Sequence, residues 1–292
     1  MNNNISERGL EFVQLLSREL ARGNVDLPSF PDLAFRIKRA LDAPNASAKR
    51  VATVVGTDPV FTARLLNVAN SAAMGTLPDV QIRDIPTAIA RMGFKMTLTV
   101  AMSIALQQLM KMECGSKLAA QFDRLWWHSL SVAAISYLVA KNYTKINPDE
   151  AMIAGLMHDI GKIYIMVRAE EYAEDLCDHF ASLEQVMYDW HTRVGQAILK
   201  NWGFPGDMAA VVSQHESLDR RVEAADLCDV VLASNLCAQA MDVDGTEVST
   251  QTGRWTKIPA FQRLGLNEDA IINVIEHSRE EIKSIVMVLG AR

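Results

Sequence analysis

A chain of 292 residues, 49% of them hydrophobic and 22% charged, is long enough to bury one large core or two smaller ones and too apolar to stay disordered. The net charge of −6 is unevenly divided: residues 1–125 carry 15 basic and 11 acidic side chains (net +4), and residues 126–292 carry 14 and 24 (net −10). The division predicts two segments, and because the basic half scatters its Lys and Arg among acids, it argues against a nucleic-acid footprint.

Four cysteines, Cys114, Cys177, Cys228 and Cys237, lie far apart with no CxxC pair, which excludes a zinc knuckle or a dithiol redox motif and predicts free buried thiols. The first eight residues are polar and lack the basic start and apolar core of a secretory signal. The most apolar stretch, 96–109, is shorter than a bilayer crossing needs and contains Gln107 and Gln108, so it reads as a buried helix. A cytoplasmic protein with no membrane association is expected.

Helix follows helix along the chain. Ser6 is placed to cap a first helix carrying Leu10, Val13, Leu16 and Leu20, which Gly23-Asn24 ends. Pro28 and Pro31 force an extended run at 27–31, since each disfavours helical geometry in the residue before it. A helix with Leu33, Ile37 and Leu41 follows, Pro44 stops it, and Ser47 caps the next, from Ala48 to Val55. Asp58-Pro59 starts another helix, striped by Phe61, Leu65, Leu66 and Val68 and closed by Asn70-Ser71. Asp84 and Pro86 open a short helix ending at Gly93, and a long apolar helix runs over 95–112.

Further helices are predicted over 126–141, 148–159, 170–180, 182–202, 207–215 and 222–240, with a polar loop at 243–256 and one or two last helices within 267–289. No stretch sustains the period-two alternation of a strand, so the expected fold class is all-α. The pattern divides into an N-terminal helical subdomain (1–125), a second helical bundle (126–242), and a loop with C-terminal helices (243–292).

The chemistry-bearing residues are few. Six histidines stand at 128, 158, 179, 191, 215 and 277. His158 and Asp159 are adjacent, at the end of an apolar helix and before Ile160-Gly161-Lys162; imidazole beside carboxylate suits a divalent first-row metal. His128 follows Trp126-Trp127, and the interval to His158 allows two antiparallel helices to bring the rings together, although on the residues alone a histidine hydrogen-bonded within the core is the favoured reading. His191 lies within a helix, where Gly195 permits close approach of a neighbour, and His215 sits at a helix end. Together with Asp159 these four histidines, on successive helices of one bundle, would make a mixed nitrogen and oxygen site. His179 and His277 lie among acids and are expected at the surface.

Leu27-Pro28-Ser29-Phe30-Pro31, Thr57-Asp58-Pro59 with Ala63-Arg64-Leu65-Leu66, Val68-Ala69-Asn70-Ser71-Ala72 and Ile85-Pro86-Thr87-Ala88-Ile89 through Gly93 occur in that order. They are followed by Trp127-His128-Ser129, Gly155-Leu156-Met157-His158-Asp159-Ile160-Gly161-Lys162, the stretch from His191 to Gly195, and Trp202-Gly203-Phe204-Pro205. This ordered set resembles the HDOD family, all-helical relatives of the metal-dependent HD phosphohydrolases that are generally regarded as bacterial regulatory or signalling modules. The resemblance implies an added N-terminal bundle packed on an HD-like bundle. It also implies a ligand set matched here by His128, His158, Asp159, His191 and His215. A final aspartate ligand should fall within 231–236, where this chain offers Ser234 and Asn235.

Losing an anionic ligand weakens the hold on a hard cation. Asp226 and Asp229 are near in sequence but stand on other turns, so the expected cofactor is a divalent ion (Fe, Mn, Zn or Mg) in a weak or partial site. Two functions follow. One is a regulatory module without turnover, whose partner is a signalling protein or a small phosphorylated ligand. The other is an active metal-dependent phosphohydrolase, acting on phosphomonoesters or cyclic nucleotides, in which Asp159 also orients the attacking water and Lys162 neutralises phosphate charge.

Overall fold

The computed structural model describes residues 7–23, 32–71, 81–113, 117–172, 174–178, 180–241, 248–277 and 279–290. Among them the chain is helical throughout, with no strand. The first helix, α1 (Glu7–Arg22), buries Phe12 and Leu16 but leaves Leu10 exposed, so its apolar stripe is narrower than the sequence suggests. Helices α2 (Asp32–Asp42), α3 (Ala48–Val55) and α4 (Pro59–Ala69) begin where their caps dictate: the Ser47 hydroxyl accepts from the Arg50 amide and the Asp58 carboxylate from that of Phe61. The run α5 (Ile85–Glu113) is two helices joined at Gly93, whose φ of 79° lies in the left-handed region that glycine alone adopts cheaply. Within it Ile85–Met110 is long and apolar enough to cross a membrane, a longer stretch than 96–109; 67% of its apolar window is buried inside the fold. Ser6, Asn24, the run 27–31, Cys114 and His179 lie outside the described residues, as does the side chain of His277.

The second bundle consists of α6 (Ala119–Tyr143), α7 (Pro148–Met157), α8 (Ile160–Tyr172), α9 (Glu174–Asp178), α10 (Phe180–Asn201), α11 (Gly206–Gln214) and α12 (Leu227–Met241). Three expectations are corrected here. The segment after His158-Asp159, to which the sequence assigns no helix before 170, is the helix α8; the predicted single helix over 170–180 is instead the end of α8 and the short α9. Helix α12 starts at Leu227, leaving 222–226 as a connection. Part of the expected loop at 243–256 is helical, as α13 (Val248–Trp255).

Gly161, in the first turn of α8, is a point of close helix contact. A β-carbon there would stand 1.9 Å from the His191 carbonyl oxygen and 2.9 Å from the Gly195 amide nitrogen, and one on Gly195 would meet Val212 at 2.5 Å. The two glycines therefore serve contact between α8, α10 and α11, and neither ends a helix.

After α13 come α14 (Pro259–Leu264), α15 (Glu268–Ile272), a π-helical turn (Asn273–His277) and α16 (Arg279–Gly290). Three polar ties join these parts. Lys38 donates to Asp42 (2.6 Å) and to the Gly203 carbonyl (2.9 Å), while Phe35 stands edge-on to Trp202 at 5.1 Å. Glu19 of α1 accepts from the Tyr164 hydroxyl (2.7 Å) and pairs with Arg168 of α8. Arg64 donates to Gln107 and to the Leu289 carbonyl, closing the end of α16 over the first bundle. The described cysteines, Cys177, Cys228 and Cys237, are buried, and Cys228 and Cys237 are free thiols.

The glycine contact is testable. Because its obstacle is backbone, Gly161→Ala should lower stability by about 1–3 kcal/mol or more, read as a fall in the thermal unfolding midpoint. Gly206→Ala, where a β-carbon meets nothing within 4 Å, should leave the midpoint unchanged or slightly raised. Equal behaviour of the two variants would contradict the packing described.

Candidate metal centre

His158 and His215 occupy the same local position, each at the C-cap of a helix. In both, the ring Nδ1 lies against the carbonyl oxygen three residues earlier, Gly155 for His158 (2.7 Å) and Val212 for His215 (3.0 Å). The Nδ1 of His191, inside α10, meets the Met187 carbonyl at 2.8 Å. A carbonyl oxygen only accepts, so each Nδ1 carries the proton and donates, and each Nε2 is left as a lone pair. Helix-end carbonyls that lack an intrahelical partner thus orient two of the three rings.

The three lone pairs point at one another across Asp159. His158 Nε2 lies 3.3 Å from Asp159 Oδ2, and His215 and His191 Nε2 lie 3.4 and 3.7 Å from Oδ1. All four residues are buried to within 1% of complete, and among the described residues the three Nε2 atoms and Asp159 Oδ1 have no hydrogen-bond partner. Buried acceptors without donors cost about 1–3 kcal/mol each, and a cation between them removes that cost. Two overlapping groups of ligand atoms share Asp159: His128, His158 and Asp159, and Asp159, His191, His215 and Glu216, each with its atoms within 4.8 Å of one another. His128, half-buried on α6, has its ring 5.3 Å from that of His158. The cluster can hold a metal ion, and its mixed nitrogen and oxygen donors suit a first-row divalent cation.

All five sequence-predicted ligand residues, His128, His158, Asp159, His191 and His215, are therefore brought together, with Lys162 beside them. Sequence reasoning missed Glu216. Its carboxylate lies 3.5 Å from His191 Nε2 and 3.8 Å from His215 Nε2, adding an anion that the reading of α12 had subtracted. The signal was present: His215-Glu216 repeats the His-acid dipeptide of His158-Asp159, again at a helix end. Neither candidate aspartate, Asp229 on α12 or Asp226 just before it, serves the cluster, because Arg220 and Arg263 hold Asp229 and Arg220 holds Asp226. Ser234 is buried with its hydroxyl donating to the Val230 carbonyl, and the Asn235 side-chain oxygen accepts from Gln239.

The electrostatics follow from burial and neighbours. Desolvation pushes His158 down to about 4 despite the attraction of Asp159, so the ring is neutral and available as a ligand. Burial works against ionisation of Asp159, yet His158 and the Lys162 ammonium, 2.8 Å from Oδ2, hold the carboxyl well below the usual range. Burial likewise opposes the charge on Glu216, but the His191 ring and Lys162 bring it to about 2. Lys162, 3.7 Å from Glu216, is raised above an ordinary lysine because these carboxylates outweigh its desolvation.

Residues 27–218 match the family model of the HDOD domain. The chain belongs to the HDOD family. Among solved structures, this HDOD protein is similar to one from Shewanella amazonensis SB2B provisionally named a metal-dependent phosphohydrolase (22% identity, 97% of this chain and 100% of that chain covered, TM-score 0.75). It is also similar to an HDOD domain protein of unknown function from Geobacter sulfurreducens (24% identity, 96% and 99% covered, TM-score 0.68). A third likeness is to a protein from Marinobacter aquaeolei VT8 provisionally named a signal transduction protein (16% identity, 99% and 67% covered, TM-score 0.66). At these identities the likenesses bear on fold alone. No curated protein matches the chain.

Divalent ions should therefore stabilise the protein. Mn²⁺ or Zn²⁺ at about a hundred times its dissociation constant should add roughly 2.7 kcal/mol, seen as a rise in the unfolding midpoint that His215→Ala and Asp159→Asn abolish. In the metal-free protein, acid should act through His158. The unfolded ring takes up a proton near 6.5 and the folded one only near 4, so the unfolded state binds more protons between these values and stability falls as pH drops through that window. A flat stability profile from pH 6.5 to 4 in the native chain would contradict the burial of a neutral ring at this site.

Proposed function

We propose that this protein is an HDOD signalling module that binds a divalent cation in its His/Asp/Glu cluster and works through the bound state without catalytic turnover. One observation carries the reading: three imidazole lone pairs and a carboxylate oxygen are buried face to face with no donor among them. That arrangement suits a cation held in place. Two features favour binding over turnover. Helix α12 contributes serine and asparagine, bonded to their own helix, where the phosphohydrolase relatives have an aspartate. In addition, the Lys162 ammonium is already engaged by Asp159 at 2.8 Å, which reduces the capacity of that carboxylate to take a proton from water.

A second reading is favoured by Glu216. Its negative charge offsets the missing aspartate, so a phosphohydrolase acting on phosphomonoesters or cyclic nucleotides remains the competing function. A bound divalent ion would supply Lewis acidity and a water of lowered pKa. In that scheme His128, His158, His191 and His215 would hold the ion with Asp159, and the Asp159 carboxylate would orient water. Lys162, a quarter exposed, would meet a phosphate oxygen. The partner of the signalling module is read as another signalling protein or a small phosphorylated ligand.

The two readings part in one assay. The metal-loaded protein should bind its ion in calorimetry yet hydrolyse neither phosphomonoesters nor cyclic dinucleotides in Mn²⁺, Fe²⁺ or Mg²⁺. Robust turnover, lost on chelation and in His158→Ala, would replace the signalling module with the enzyme.

A further inference from the structure

Beyond the cluster, the most heavily bonded charges in the fold are Arg220, Asp226, Asp229 and Arg263. Asp229 is completely buried and accepts from Arg263 through both Nε (2.7 Å) and Nη2 (2.7 Å), a side-on pair, and from Arg220 Nη1 at 2.6 Å. Arg263 Nη1 donates in turn to the Arg220 backbone carbonyl at 3.1 Å. Arg220 uses all three of its nitrogens: Nη1 and Nη2 also bind Asp226 at 2.9 and 2.6 Å, and its Nε donates to the Gln214 side-chain oxygen at 2.9 Å. Gln214 ends α11 and immediately precedes His215 and Glu216. A continuous chain of hydrogen bonds therefore runs from Arg263, on α14, through Asp229 and Arg220 to the segment that bears the last two ligand side chains.

Its placement is informative. The family match ends at residue 218, so the match includes the cluster, whereas Arg220, Asp226, Asp229 and Arg263 all follow it. Glu216 sits four residues before Arg220, at the open side of an otherwise buried site. A segment so tied cannot shift Glu216 relative to His191 without straining bonds to Asp229, which α14 also holds.

We propose that Arg220 and Arg263 are positioning residues for the metal cluster, coupling the seating of α14 to the placement of His215 and Glu216. This rests on the metal-binding reading of the site. Because coupling free energy is reciprocal, cation binding should tighten α14 on the bundle, and loosening α14 should weaken cation binding by the same factor. In a signalling module this makes the C-terminal helices the part of the chain that senses whether the cluster is filled.

The test uses the full chain and Mn²⁺ as the probe, with calorimetric affinity and hydrogen exchange of the α14 amides as readouts. In the native protein Mn²⁺ should slow exchange over 260–264. Arg263→Gln should weaken Mn²⁺ binding by about 5–150-fold, the usual range of coupling between two sites, and should erase the Mn²⁺-dependent slowing. Arg263→Gln leaves a buried carboxylate short of a partner, and should it fail to fold, Gln214→Ala carries the test. That change cuts the same chain at an exposed side chain and should lower affinity in the same direction by a smaller factor. A merely structural role would lower the unfolding midpoint without moving either readout. Native affinity in the folded variants, with no Mn²⁺ effect on α14, would overturn the coupling alone; a native protein that takes up no Mn²⁺ would overturn the site as well.

Discussion

Buried acceptors facing acceptors are what the rest of this fold is arranged around. The Nε2 atoms of His158, His191 and His215 approach the Asp159 carboxylate to between 3.3 and 3.7 Å without forming a hydrogen bond to it. Such a contact persists only where packing imposes it. The imposing elements are identifiable: α8 and α10 meet at Gly161 and Gly195 with no room for a side chain, and α11 closes against Gly195 through Val212. Each ring is then held from behind by a carbonyl oxygen. Orientation, tautomer and burial all follow from backbone geometry.

Charge balance decides what such a centre can do. Asp159 and Glu216 are both anionic, and Lys162 stands between them, 2.8 Å from one and 3.7 Å from the other. The centre thus holds two negative charges against one positive charge, with neutral His158 beside them. This composition attracts a divalent ion while reducing the basicity of the carboxylate that a hydrolase would rely on. Asp229 on α12 and Asp226 just before it are held by arginines, which fasten the end of α11 to the C-terminal helices instead of adding to the ligand set.

Much of this was legible in the sequence. The caps Ser47 and Asp58 and the break at Gly93 announced themselves, because each acts through a local bond or a local dihedral. The histidines and Asp159 were recognisable from an ordered set of short motifs. What stayed hidden depends on distant partners. The role of Gly161 shows only once the His191 carbonyl is seen to lie against it, and α8, which packs there, was not assigned over its first ten residues. Glu216 joins the site only because the fold turns its carboxylate towards His191 and His215. Asp229 could be weighed as a ligand only while Arg263, 34 residues away in the chain, was not seen to claim it.

X-ray absorption at the metal edge tests the central claim most directly, because it reads the ligands of a bound ion without requiring activity. With one equivalent of Zn²⁺ added to the native chain, the account predicts an imidazole-containing nitrogen and oxygen shell at about 2.0–2.2 Å. The imidazole signature should diminish in step in His158→Ala, His191→Ala and His215→Ala. A fully hydrated ion, or a spectrum unchanged by all three substitutions, would contradict it.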